Sequence, residues 1–162
     1  MTRSSVFFLV TASFAFAQAP STPAKSFTAQ FEDLNRRLLA MAKDFPEAKY
    51  GYRATPDVRS FGEIVVHVSS GNAYAAKAGR GEKANWDEID PKGYTTKAAM
   101  VALLEKTIAD ANATLKAVPD DRWVKTVQPW LAVIEHAGEH YGQLVVYYRN
   151  NGMVPPESRP KK

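Results

Sequence analysis

From Phe27 onward, apolar residues recur every three or four positions: Phe27, Phe31, Leu34, Leu38, Met41 and Phe45. That spacing puts them on one face of a helix, and Pro46 predicts its end. PEAKYGYRATPDVR (46–59) holds two prolines and a glycine and reads as a loop. Ser60-Phe61-Gly62-Glu63 then fits a capping box, in which the serine hydroxyl accepts from an early amide and the glutamate reaches back. It predicts a second helix over 61–78, with Phe61, Ile64, Val68, Gly71 and Ala75 inward. A long polar connection follows, GRGEKANWDEIDPKGYTT (79–96). Thr95 or Thr96 can cap a third helix whose stripe is Val101, Leu104, Ile108, Ala111, Leu115 and Val118, closed by Pro119. An aspartate-rich segment leads past Pro129 into a fourth helix, Trp130 to about Asn150. Gly152 suits the left-handed position after it, and Pro155-Pro156 prevents its resumption.

No strand-like alternation competes with these segments. Four amphipathic helices of such lengths predict an all-α four-helix bundle. The long connection leaves room for the second and third helices to run parallel.

The N-terminus changes the picture. MTRSSVFFLVTASFAFAQAP carries a basic Arg3, an apolar run from Val6 to Ala17, and Ala15-Phe16-Ala17 as a small-x-small cleavage signal. This is the layout of a secretory signal peptide over 1–17, too short in its apolar run to span a bilayer comfortably. Residues 18–24 read as a leader and 25–162 as the bundle. The expectation is an exported protein, periplasmic or extracellular, with no membrane association after cleavage. The chain has no cysteine, which excludes a lipoprotein anchor and disulfides, and means that any thiol would come from outside. Net charge is +4, or +3 without Arg3, and the basic residues are scattered. No aromatic-interleaved basic patch predicts nucleic-acid binding.

Only three histidines occur, His67, His136 and His140. At 100° per residue, His136 and His140 share a face of the fourth helix, continued by Gln143 and Tyr147. His67 lies beside the apolar stripe of the second helix, with Glu63, Ser70 and Tyr74 around it. Three neutral imidazoles suit zinc, nickel or another borderline divalent ion and leave positions for water or substrate. The bland alternative is three hydrogen-bonded interior histidines.

The tail HAGEHYGQLVVYYRNNGMVPPESR resembles the C-terminal helix of the DinB/YfiT-like superfamily, and VRSFGEIVVHV (58–68) resembles the start of its second helix. His67, His136 and His140 fall on the family's ligand positions, Gly142-Gln143-Leu144 on its G-Q-L-like run, and Gly152 to Pro156 on its G-x-x-P-P. The resemblance implies an up-down-down-up bundle with a divalent metal. It implies no single reaction: some relatives transfer or isomerise substrates with a low-molecular-weight thiol, and export departs from that chiefly cytosolic chemistry.

His136-Ala137-Gly138-Glu139-His140 also fits H-x-x-E-H, the inverted zinc-peptidase signature. Those enzymes take a further glutamate well downstream. Glu157, beyond two prolines, is the sole carboxylate that follows, so the peptidase reading is set aside. Glu139, Gln143 and Tyr74 remain candidates for a role near the metal, and Glu63 could hold an imidazole from behind, although its cap explains it equally. Trp86, Trp123 and Trp130 either roof a pocket or seal the bundle ends. The reading is a metal-dependent hydrolase or transferase acting on a small molecule, with a homodimer expected because such bundles often pair. A non-catalytic metal- or ligand-binding module is the alternative.

Overall fold

The computed structural model describes residues 22–160. The expected signal peptide over 1–17 and residues 18–21 of the expected leader lie outside them. Four helices make the fold: α1 (Pro23–Asp44), α2 (Phe61–Gly79), α3 (Lys97–Lys116) and α4 (Trp123–Asn150). No strand occurs among the described residues.

Each boundary has a local cause. Helix α1 reaches back into the segment read as leader because Pro23 suits the first turn and the Thr22 side chain accepts from Lys25 N. The capping box of α2 is complete: Glu63 N donates to Ser60 Oγ at 3.3 Å, and Ser60 N donates to Glu63 Oε2 at 2.7 Å. Such a cap is worth about 1 kcal/mol. Thr96 caps α3 by accepting from Ala99 N. Gly152 takes φ 70° just past α4, where a side chain would be strained.

Helix α4 starts a full two turns before its expected first residue. Pro129 lies inside it, not ahead of it. A proline there removes one backbone hydrogen bond, at a cost of up to about 3 kcal/mol. Burial of large aromatics on that early segment offsets the loss. Trp123 packs against Phe27 with ring centroids 5.1 Å apart, and the fully buried Trp130 meets Phe31 edge-on at 5.8 Å.

Side-chain contacts give the direction of every helix. Phe45, just after α1, stacks on Phe61 at the start of α2 with centroids 3.8 Å apart. Lys97 at the start of α3 donates to the Phe45 carbonyl at 2.8 Å. At the other end, Arg80 just after α2 donates to Asp110 and Thr114 on the last turns of α3. Helices α2 and α3 therefore run parallel. The Trp123–Phe27 contact joins the starts of α4 and α1, and the Tyr148 hydroxyl donates to the Met41 carbonyl at 2.8 Å near both ends. The topology is up-down-down-up.

Helix α2 is the axis of the structure. Its inward residues Phe61, Ile64, Val68, Gly71 and Ala75 are buried, and so are Val65, Val66, Ser69, Ser70, Asn72 and Ala76. One amphipathic stripe does not account for that burial. The 80–96 connection folds back over the remaining face, where Ile89 N donates to Ser70 Oγ at 3.0 Å. A polar contact crosses the core as well: Asn72 Nδ2 donates to Asn35 Oδ1 of α1 at 3.1 Å.

Candidate metal centre

Helix α2 brings His67 to the same point as His136 and His140 of α4. The three ring centroids lie 4.5–4.7 Å from one another. One ligand nitrogen from each falls within 4.8 Å of the others, the geometry of a cluster that can hold a metal ion. Helical pitch supplies half of this arrangement, because residues four apart stack on one face. Helix packing supplies the other half.

Hydrogen bonds decide which nitrogens are available. His67 Nδ1 is 2.7 Å from Glu88 Oε2, and His140 Nδ1 is 2.8 Å from Gln143 Oε1. Each acceptor takes the Nδ1 proton, so each ring presents its Nε2 lone pair inward. His136 Nε2 faces His67 Nε2 at 2.8 Å. That is a hydrogen-bond spacing. Nitrogens on one tetrahedral zinc sit roughly 3.3 Å apart, so an ion fits once this pair opens by about half an ångström. His136 Nδ1 is buried with no hydrogen-bond partner, which makes His136 the least supported of the three.

Electrostatics favour neutral rings. The His136 pKa is pushed down to about 3, first by burial and then by His140, His67 and Arg59. His140 is lowered too, again mainly by burial, while its Gln143 hydrogen bond opposes the shift. Both imidazoles are unprotonated at neutral pH, the state that ligates.

Gly71 and Trp86 shape one wall. A methyl group on Gly71 would lie 3.0 Å from His136 Nδ1 and 3.0 Å from the Trp86 ring. The His136 ring therefore rests close on the backbone of α2, and a side chain at Gly71 would make both rings give by a few tenths of an ångström. Trp86 covers its outer side, with ring centroids 4.8 Å apart, and Tyr74 backs Trp86 at 4.9 Å. On the other flank Gln143 Nε2 donates to the Tyr147 hydroxyl at 3.4 Å, which in turn donates to the Arg59 carbonyl at 2.6 Å.

A model of the DinB superfamily matches residues 30–144, more than two thirds of the chain and all three histidines. The chain belongs to the DinB superfamily. No curated protein gives a significant match. The G-x-x-P-P segment falls beyond the stretch that carries the DinB match.

Within this DinB bundle the sequence-derived candidates separate. Gln143 touches the centre through His140. Tyr74 stands one ring away, behind Trp86. Glu139 is exposed and acts on His140 only through its charge. Glu63 is spent on its cap and on Arg53, whose Nη2 lies 2.6 Å away. Glu157, the residue that a peptidase reading would need, pairs with Arg36 at 2.6 Å. Of the tryptophans, Trp86 roofs the centre, whereas Trp123 and Trp130 seal the far end. The carboxylate on His67 is Glu88, which helical spacing could not find because it comes from the irregular 80–96 connection. Its one sequence signal was an acidic WDEID run in a stretch long enough to fold back.

Proposed function

We propose that this DinB chain binds one divalent ion, zinc or nickel, through Nε2 of His67, His136 and His140, and acts as a metal-dependent hydrolase or transferase on a small molecule. The observation that carries the reading is the convergence of three imidazoles, two of them with Nδ1 held by Glu88 and Gln143. Structural histidines would use the same two acceptors; what favours a metal is that one nitrogen from each of the three rings lies within 4.8 Å of the others. Membership of the DinB superfamily supports the same ligand set.

When bound, a divalent ion with three protein ligands supplies a Lewis acid that polarises an oxygen of substrate or water. The protein's own groups do the rest. Glu88 and Gln143 fix the imidazole tautomers and ring planes. Trp86 and Gly71 pack against the His136 ring and keep it in place. Tyr147 ties this end of α4 to residue 59.

Export and a homodimer belong to the same proposal. The apolar run before Ala15-Phe16-Ala17 supports export, and among the described residues no helix is long and apolar enough to cross a membrane. N-terminal sequencing of protein from the native host should begin near Gln18, and a chain still starting at Met1 overturns export. Sedimentation showing only monomer at micromolar concentration removes the dimer. For the centre itself, the purified chain should carry about one metal per copy by elemental analysis. A hydrolase and thiol-transferase substrate screen should then show turnover that chelation abolishes. A chain that takes up no divalent metal refutes the reading.

A further inference from the structure

We propose that Arg59 anchors an anionic group, a carboxylate or a phosphate, of the molecule taken by the metal centre. This rests on the metal reading above and adds to it a class of ligand.

Two arginines flank the start of α2, and they differ in how they are held. Arg53 is committed: its Nη2 donates to Glu63 Oε1 at 2.6 Å and its Nη1 to the Val58 carbonyl at 2.5 Å. Arg59 lies 3.7 Å from Glu88 Oε1, beyond hydrogen-bond reach, with a side chain 49% exposed. Glu88 spends its other oxygen on His67 Nδ1. One carboxylate thus stands between the histidine cluster and a guanidinium whose donors it does not engage closely.

The backbone that carries Arg59 is fixed on both sides. Its carbonyl accepts from the Tyr147 hydroxyl at 2.6 Å, and the next residue, Ser60, is locked in the capping box of α2. Fixing the backbone limits how far the side chain can wander.

Charge balance then selects the ligand. The three imidazoles are neutral ligands, so a divalent ion keeps its full charge. Add Arg59, and the positive charge exceeds what Glu88 and the exposed Glu139 together offset. A guanidinium fork matches carboxylate and phosphate oxygens in a way that an ammonium does not. A molecule with one polar group for the metal and an anionic group for Arg59 uses both.

The test uses the zinc-loaded full chain. Calorimetric titration with succinate and with inorganic phosphate tells a carboxylate ligand from a phosphate one, and azide reports ligation at the metal alone. The expected result is that wild type binds one of the two oxyanions, that Arg59→Gln weakens it by roughly tenfold or more, and that Arg59→Lys falls between. Zinc content and azide binding should stay unchanged in both variants. Three outcomes overturn the inference while leaving the metal reading intact: wild type binds zinc but neither oxyanion; Arg59→Gln binds as well as wild type; or Arg59→Gln loses azide and zinc in step with the oxyanion, which makes Arg59 only a support for Glu88. A wild-type chain that binds no zinc fails at the metal reading, and the anion site falls with it.

Discussion

Glu88 Oε2 lies 2.7 Å from His67 Nδ1, joining the irregular α2–α3 connection to the middle of α2. A carboxylate in this position orients the imidazole and raises its basicity as a ligand. Replacing Glu88 with alanine should lower metal affinity by about 10- to 100-fold while the helices persist. Competition with a chromophoric chelator measures the first, and far-ultraviolet circular dichroism checks the second. Unchanged affinity would mean that the hydrogen bond is incidental.

Loss of any one histidine should break the centre as a unit. His67→Ala, His136→Ala and His140→Ala should each remove most of the metal and the accompanying rise in Tm. For wild type that rise corresponds to about 2.7 kcal/mol when free metal is a hundredfold above Kd. Double substitutions should cost little more than single ones, because the second removes a ligand from a site already broken. Scanning calorimetry with and without metal provides the comparison. Full occupancy in His67→Ala would leave the α4 pair to act alone and sink the three-ligand centre.

The metal-free protein should lose stability as the pH falls. His136 has its pKa depressed to about 3, first by burial and then by His140, His67 and Arg59, against an ordinary value near 6.5. Between those values the unfolded chain holds a proton that the folded one refuses. Stability is therefore greatest above about pH 6.5 and declines as pH drops toward 3. His140, lowered in the same direction, adds to the decline. Urea midpoints across that range should fall for wild type and flatten in His136→Gln. Metal should leave over the same span, as protons compete for Nε2.

Gly71→Ala separates stability from binding. Alanine gains up to about 1 kcal/mol of helix propensity over glycine. Its methyl must nevertheless displace His136 and Trp86, each 3.0 Å away. The metal-free Tm should change little, whereas metal affinity should drop about tenfold through the shifted ligand. An affinity equal to wild type would show that His136 has slack that the packing does not reveal.

How much of this was legible beforehand depends on periodicity. The stripes of α1 and α3, the capping box at Ser60 and the stop at Gly152 are local, so they can be read from spacing and turn chemistry. The i,i+4 relation of His136 and His140 is local too, and the family's ligand pattern placed His67 with them. Pro129 misled because its cost is local while the gain from Trp123 and Trp130 is tertiary. Burial around all of α2 was hidden for the same kind of reason: the covering residues Trp86 and Ile89 sit in a segment without any period. Glu88 and Arg59 act through that segment, and no spacing rule reaches across it.

His67 and His136 are 69 residues apart in the chain, yet their Nε2 atoms lie 2.8 Å apart. Between them runs the whole of α3, parallel to α2 and owning no ligand. The ligand set is therefore complete only after the last helix has docked against the second, a closure that loop entropy makes late. Cobalt in place of the native ion would give a d–d absorption tied to that final event, while helical ellipticity reports the earlier ones. The centre would then serve as a clock within its own protein, timing the arrival of α4.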